Sequence, residues 1–306
     1  MFLVSSAALV IESCRAGLIG TLTRNHCRSA EEFERDLQTV RESLRRAHEV
    51  EPGRLIGPLA ANVSIGMEPG ARAEAIDACR RHGVDIVVTA GGDPAPVARE
   101  VHDWGGLIFH DVTSLRFAEK AIRAEVDGMI AIGAGGGGHS GALSHLALVP
   151  GIRAIFDGTI VMAGAVASGA AIRAAEILGA DLAYLGTRFI ASRESRAAAE
   201  YKAMLVEEGV DDLVYTDAIN GVPAMWMKAS LRRVGLDPAD LPRPAGKGSN
   251  HLPAGVKPWV NLWSAGQGID VIDDIPSVAE LVDRLEREYR AACAVAPWQA
   301  REATNE

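Results

Sequence analysis

The chain has 306 residues, with 31 Lys+Arg against 40 Asp+Glu (net charge −9), 48% hydrophobic residues and 5% aromatics. The acidic balance excludes the basic footprint of a nucleic-acid binder, and the apolar content excludes a disordered chain. The length suits an α/β barrel of roughly 250 residues with additions, and 32 glycines mark places where backbone must approach something closely.

The opening run Met1 to Ile11 is apolar. It lacks a basic leader and runs at once into Glu12 and Arg15, so no export signal is expected. No run has the length of a membrane span. Cys14, Cys27, Cys79 and Cys293 form no Cys-x-x-Cys pair and no Cys/His cluster in the sequence, which predicts free thiols in a reducing cytoplasm and no metal centre.

Short, nearly continuous apolar runs follow one another at residues 2–4, 17–22, 55–63, 85–89, 107–111, 128–132, 159–163 and 182–185. Runs of this kind belong to parallel strands covered on both faces. Amphipathic helices are predicted between them, at 31–51, 70–82, 94–104, 114–125, 144–152 and 168–178. Eight alternating units close a (β/α)8 TIM barrel, and no glycine-rich turn follows the first strand as a doubly wound fold would require. The barrel core is placed at about 1–192. Residues 193–306 form a C-terminal helical and loop extension with no strand set of its own: helices at 196–208, 225–233 and 277–292, a loop at 242–258 and a tail at 299–306. The whole chain is read as one domain.

Barrel chemistry sits on loops at the C-terminal strand ends. These ends carry Asn62, residues 90–93, His110 and Asp111, residues 133–141, Ala163-Gly164-Ala165 and Gly186-Thr187-Arg188. The segment Ala134-Gly135-Gly136-Gly137-Gly138-His139-Ser140-Gly141 suggests backbone laid against a flat ligand, with His139 projecting into the cavity. Loops after the seventh and eighth strands commonly bind phosphate, and the small residues there leave N–H groups reachable, with the Thr187 hydroxyl as a further donor. Arg188 suits either a phosphate or a carboxylate on the next helix. Together these features suggest a planar, phosphate-tailed cofactor such as FMN. No metal is expected, because the histidines share no helical face or carboxylate partner. The five tryptophans (Trp104, Trp226, Trp259, Trp263, Trp298) read as packing anchors, with Trp259 or Trp263 as a candidate pocket residue; His110 and His145 read as satisfied, partly buried histidines.

Residues 133–141, the Asp157-Gly158-Thr159-Ile160 to Gly169 stretch, Leu185-Gly186-Thr187-Arg188-Phe189-Ile190-Ala191 and Trp263-Ser264-Ala265-Gly266-Gln267-Gly268 resemble the nitronate monooxygenase (2-nitropropane dioxygenase) family. So do Pro58-Leu59-Ala60-Ala61-Asn62 and Asp111-Val112-Thr113. The resemblance implies an FMN-dependent barrel that oxidises alkyl nitronates or nitroalkanes with O2 to a carbonyl compound and nitrite. It implies that His139 is the catalytic residue, and that Met1, Asn62, Asp111, Gly135, Gly136, Gly137, Gly138, Ala163, Gly164, Ala165, Gly186, Thr187 and Gln267 bind the cofactor. Two departures stand out. The family's first strand ends in Pro-Met, and this chain starts at the position of that Met, which predicts a shortened first strand. Many members carry Gln or Glu before the glycines, where this chain has Ile132-Gly133-Ala134. Partners implied are a small nitronate or nitroalkane and O2, without nucleic acid or membrane; a homodimer is compatible. The alternatives are an NAD(P)H-dependent quinone or enoyl reductase on the same barrel, and a catalytically idle flavin-binding scaffold.

Overall fold

The computed structural model describes residues 1, 3–244 and 251–296. Trp298, the tail 299–306 and part of the loop 242–258 lie outside the described residues. In chain order the strands are β1 (Gly20–Thr23), β2 (Leu59–Asn62), β3 (Ile86–Thr89), β4 (Leu107–Val112), β5 (Gly128–Ile132), β6 (Gly138–His139), β7 (Thr159–Ala163), β8 (Leu182–Tyr184), β9 (Leu213–Thr216) and β10 (Ala224–Met227). The helices are α1 (Ala7–Arg15), α2 (Ala30–Val50), α3 (Pro69–Arg81), α4 (Ala95–His102), α5 (Leu115–Arg123), α6 (His145–Arg153), α7 (Gly169–Ile177), α8 (Thr187–Ile190), α9 (Ala199–Glu207), α10 (Lys228–Arg233) and α11 (Val278–Cys293).

Seven strands form one parallel sheet in the order β1-β2-β3-β4-β5-β7-β8. The fold is α/β, of the TIM-barrel kind, as the alternating pattern predicts. The apolar runs are continuous because both faces are covered. Ala60, Ile86, Val88, Phe109, Ile130, Val161 and Ala163 pack together on one face. Their neighbours Ala61, Val87, Ile108, Met129, Ala131, Ile160 and Met162 pack into the larger core with the helices. An aspartate before a strand pins the register to the previous one. Asp85, Asp127 and Asp181 each accept a hydrogen bond from the backbone N–H of Leu59, Ile108 and Ile160, at 2.8–2.9 Å.

The predicted strand at 2–4 does not form. Phe2 lies outside the described residues, and Leu3 and Val4 lie in a turn, with Leu3 at φ +65°, a left-handed conformation incompatible with a strand. The Val4 carbonyl accepts from Arg196 N, and the Val4 side chain packs with Ile190, Ala191, Leu213 and Met225 of the later chain. The segment thus crosses the β8 and β1 ends as a turn, with Met1 beside Gly186 and Ser5 Oγ donating to the Thr21 carbonyl. Helices cover this side of the sheet. α11 packs on α7 and α1, and Leu9, Phe189, Val278, Leu281 and Leu285 share one cluster there.

The later chain does have strands of its own, contrary to expectation. β9 and β10 are antiparallel, and β10 pairs on its other side with β6, giving the sheet order β6-β10-β9. The predicted helix 225–233 therefore begins as strand, with helical structure from Lys228. Trp226 and Met227 are fully buried, and the alternating sheet contacts of such bulky residues outweigh their helical spacing. α11 matches its prediction, opened by a capping box between Ser277 and Glu280 that satisfies two end-of-helix N–H groups. Among the described residues, no helix is long and apolar enough to cross a membrane.

Candidate active site

The sheet order places β5, β7 and β8 side by side, so the loops 133–141, 164–168 and 185–187 lie next to one another. They touch. A Cβ on Gly135 (φ +88°) would meet Gln267 Oε1 at 2.7 Å, and one on Gly137 would meet Gly266 N at 2.8 Å and Thr187 Oγ1 at 3.1 Å. A Cβ on Gly164 (φ +111°) would come within 3.1 Å of Gly136 N. Gln267 N donates to the Gly135 carbonyl (2.8 Å) and Gly266 N to Thr187 Oγ1 (2.9 Å). Gly135, Gly136, Gly137, Gly164, Ala165, Thr187 and Gln267 thus converge, and a share of the glycine requirement is loop-on-loop packing. Gly186 differs, since only the Met1 side chain comes near its open Cβ position, at 3.8 Å. Met1 therefore lies over the end of β8. Asn62 ends β2, and Ala163 ends β7.

His139 is held by backbone. Gly138 and His139 make up β6, paired with Met225 and Ala224 of β10, and Tyr215 Oη donates to the Ser140 carbonyl. The imidazole stands edge-on to Trp259, with ring centroids 5.4 Å apart at 88°. Trp259 in turn stacks on buried Trp226 at 4.3 Å. Asn220 Nδ2 lies 3.0 Å from His139 Nε2; an amide nitrogen only donates, so Nε2 is the unprotonated acceptor of a neutral ring. Desolvation lowers the His139 pKa from its ordinary value. Neither Asn220 nor the β10 pairing carries a motif-level signal. Trp259 was one of two pocket candidates, and the other, Trp263, stacks on Tyr201 instead.

Several expected roles resolve differently. Arg188 is 1% exposed, and its guanidinium is bonded to Asp274 Oδ1 (2.6 Å) and to the Ala191 and Asp274 carbonyls. It holds a carboxylate and is not turned to a phosphate. The α7 N-terminus is also engaged: Ser168 Oγ accepts from Ala171 N, and Gly169 N donates to Glu288. A phosphate would therefore rest on the preceding loop backbone, where Gly164 and Ala165 both have positive φ. His145 bonds the Ala163 carbonyl and His110 bonds Thr89 Oγ1, each at 2.8 Å, in keeping with structural roles. Two buried polar atoms near the loops lack a protein partner, Ser140 Oγ and Asp111 Oδ1. Burial raises the Asp111 carboxyl to about 7.

Backbone free of Cβ atoms at adjacent strand ends, together with these two orphaned oxygens, fits a flat, hydrogen-bonding group with an anionic tail. Residues 57–288 match the sequence profile of the Nitronate monooxygenase family. The chain belongs to that family. A nitronate monooxygenase of Paraburkholderia phytofirmans is 32% identical over 215 residues, covering 64% of this chain and 58% of the relative. A Mycobacterium tuberculosis protein, (3aS,4S,5R,7aS)-5-hydroxy-7a-methyl-1-oxo-octahydro-1H-indene-4-carboxyl-CoA dehydrogenase, is 24% identical over 172 residues, covering 55% and 48%. The match thus spans about half the length of these curated relatives. A nitroalkane oxidase from Streptomyces ansochromogenes shares the fold, with a TM-score of 0.77, 23% identity, and coverage of 95% of this chain and 93% of that one.

Proposed function

We propose that this nitronate monooxygenase family member is an oxidoreductase that binds FMN as one unit and oxidises alkyl nitronates or nitroalkanes with O2 to a carbonyl compound and nitrite. The observation that carries the reading is the neutral His139, fixed beside glycine-only backbone by β10, Asn220 and Trp259. Gly164, Ala165, Gly186 and Thr187 would hold the phosphate. Met1, Asn62, Asp111, Gly135, Gly136, Gly137, Gly138, Ala163 and Gln267 would line the rest of the cofactor. The flavin, when bound, supplies one-electron transfer and reaction with O2. A neutral imidazole, kept unprotonated by desolvation, suits removal of an acidic α-proton from a nitroalkane, taken at Nε2 once Asn220 yields that lone pair. With a substrate that arrives as the nitronate anion, Asn220 Nδ2 and the Nδ1–H of the neutral His139 ring are the donors that would orient it.

The test is an absorbance spectrum of the purified protein followed by oxygen uptake with a nitronate. The expected result is a flavin spectrum and turnover that falls by about 100-fold or more in His139→Asn, the usual scale of general acid–base catalysis, with flavin retained. Undiminished turnover in that variant refutes the role. A second reading, an NAD(P)H-dependent reductase, is favoured by the similarity to the mycobacterial dehydrogenase; anaerobic bleaching by NADH or NADPH, without nitronate-driven oxygen uptake, selects it.

A further inference from the structure

A second group of chemically capable side chains lies at the exit of β1. His26 ends the 3-10 turn Arg24–His26, Cys27 follows it, and Asp36 reaches over from α2. His26 Nε2 is 3.5 Å from Asp36 Oδ2, Cys27 Sγ is 3.7 Å from His26 Nε2, and Cys27 Sγ is 3.9 Å from Asp36 Oδ2. The N···O separation is too long for a good hydrogen bond, and the two sulfur contacts are weak ones. Three polar groups thus face one another without satisfying one another. The His26 side chain is 1% exposed and that of Asp36 19%, and Cys27 is buried, so the carboxylate is the most exposed of the three.

The tautomer is fixed as well. His26 Nδ1 lies 2.8 Å from the Thr23 carbonyl, which can only accept, so Nδ1 carries the proton and Nε2 presents its lone pair. A ligating imidazole is commonly oriented by such a bond from its other nitrogen. Arg24 donates to the Cys27 carbonyl and not to the sulfur. A point equidistant from the three facing atoms lies about 2.1 Å from each, against about 2.0–2.1 Å for Zn–N, about 2.0–2.2 Å for Zn–O and about 2.3 Å for Zn–S. Shifts of a few tenths of an ångström, with a small swing of the ring, complete a tetrahedral set.

We propose that His26, Cys27 and Asp36 form a binding site for a divalent, borderline-soft metal ion, best matched by Zn2+, with its fourth position open to water. The N, S, O donor set selects against Mg2+ and Ca2+, which take oxygen ligands. On binding, the Cys27 S–H bond gives way to a metal–thiolate bond and its proton leaves to solvent. The ion fastens the end of edge strand β1 to α2. It is independent of the flavin reading, because none of its ligands belongs to the glycine-loop site.

Co2+ is the spectroscopic probe, titrated into the chelator-treated full-length protein and followed by difference absorbance. One equivalent is expected to bind, with tetrahedral d–d bands and a thiolate-to-metal charge-transfer band, both displaced by Zn2+. Cys27→Ser should abolish the charge-transfer band, and Asp36→Asn should weaken binding by about tenfold or more; Cys293→Ser, which alters an exposed thiol, should change neither. Circular dichroism keeps the result readable, and Asp36→Asn carries the test if Cys27→Ser does not fold. No stoichiometric uptake, uptake without a thiolate band, or a band that survives Cys27→Ser overturns the proposal.

Discussion

The Arg188–Asp274 pair offers a sharp test of how the strand-end loops are held. Removing the carboxylate in Asp274→Ala leaves a guanidinium that is 1% exposed with only the Ala191 and residue-274 carbonyls as acceptors. It also leaves Arg284, which shares the same carboxylate, as a nearby like charge answered only by Asp273 at 3.4 Å. Breaking a buried pair from one side costs about 3–5 kcal/mol. The Asp274 side chain is 40% exposed, so screening and rehydration reduce this to about 2–3 kcal/mol. Asp274→Asn keeps an acceptor and should cost about 1 kcal/mol, on the scale of one charge-assisted bond exchanged for a neutral one. Urea unfolding of Asp274→Ala, Arg188→Met and the double variant measures the coupling. The pair should couple by more than about 1.5 kcal/mol, because the double variant leaves no stranded guanidinium. Single variants that add within about 0.5 kcal/mol, or an Asp274→Ala cost below that figure, refute the clamp and return Arg188 to the cofactor site.

Two further outcomes follow from titratable groups. Desolvation sets His139 below its ordinary value, so the acid limb of kcat/KM with a nitroalkane should lie below about pH 6.5, and a limb above neutrality rules out His139 as the base. Burial lowers His110 to about 4: between pH 6.5 and 4 the unfolded chain takes up a proton that the folded chain refuses, so stability falls as pH falls through that window. Urea unfolding at pH 7.5 and 4.5 should show a His110-dependent loss of about 2–3 kcal/mol. His110→Gln should remove that difference, and an unchanged pH slope in the variant contradicts it.

The sheet was legible because burial on both faces writes itself into composition: Ile86-Val87-Val88 has no polar face to hide. The aspartates that set the register gave no comparable signal, since a carboxylate before a strand looks like any turn residue. β9 and β10 were missed for a related reason. Their partner in the sheet is a two-residue strand inside a glycine run, and pairing across more than eighty residues leaves no local period to detect. At the site, glycine spacing located the loops and His139, while Asn220 became visible only through a distance. The glycine excess itself divides in two. Gly135, Gly137 and Gly164 are needed where loops press on one another, whereas a Cβ at Gly186 would meet only the Met1 side chain, at 3.8 Å. The His26, Cys27 and Asp36 group escaped the cysteine count because its third member sits on the next helix.

The pairing of β6 with β10 has a consequence for the order in which the molecule becomes competent. A chain emerging from the ribosome presents His139 long before Ala224 exists to pair with it. The parallel layers can collapse by then, yet the imidazole has no fixed direction and no Asn220 to meet. Whatever the site does begins only when residues 213–227 have docked. The segment that completes the centre is thereby also the timer on its birth, and a nick anywhere within it should silence the centre while most of the scaffold stays folded.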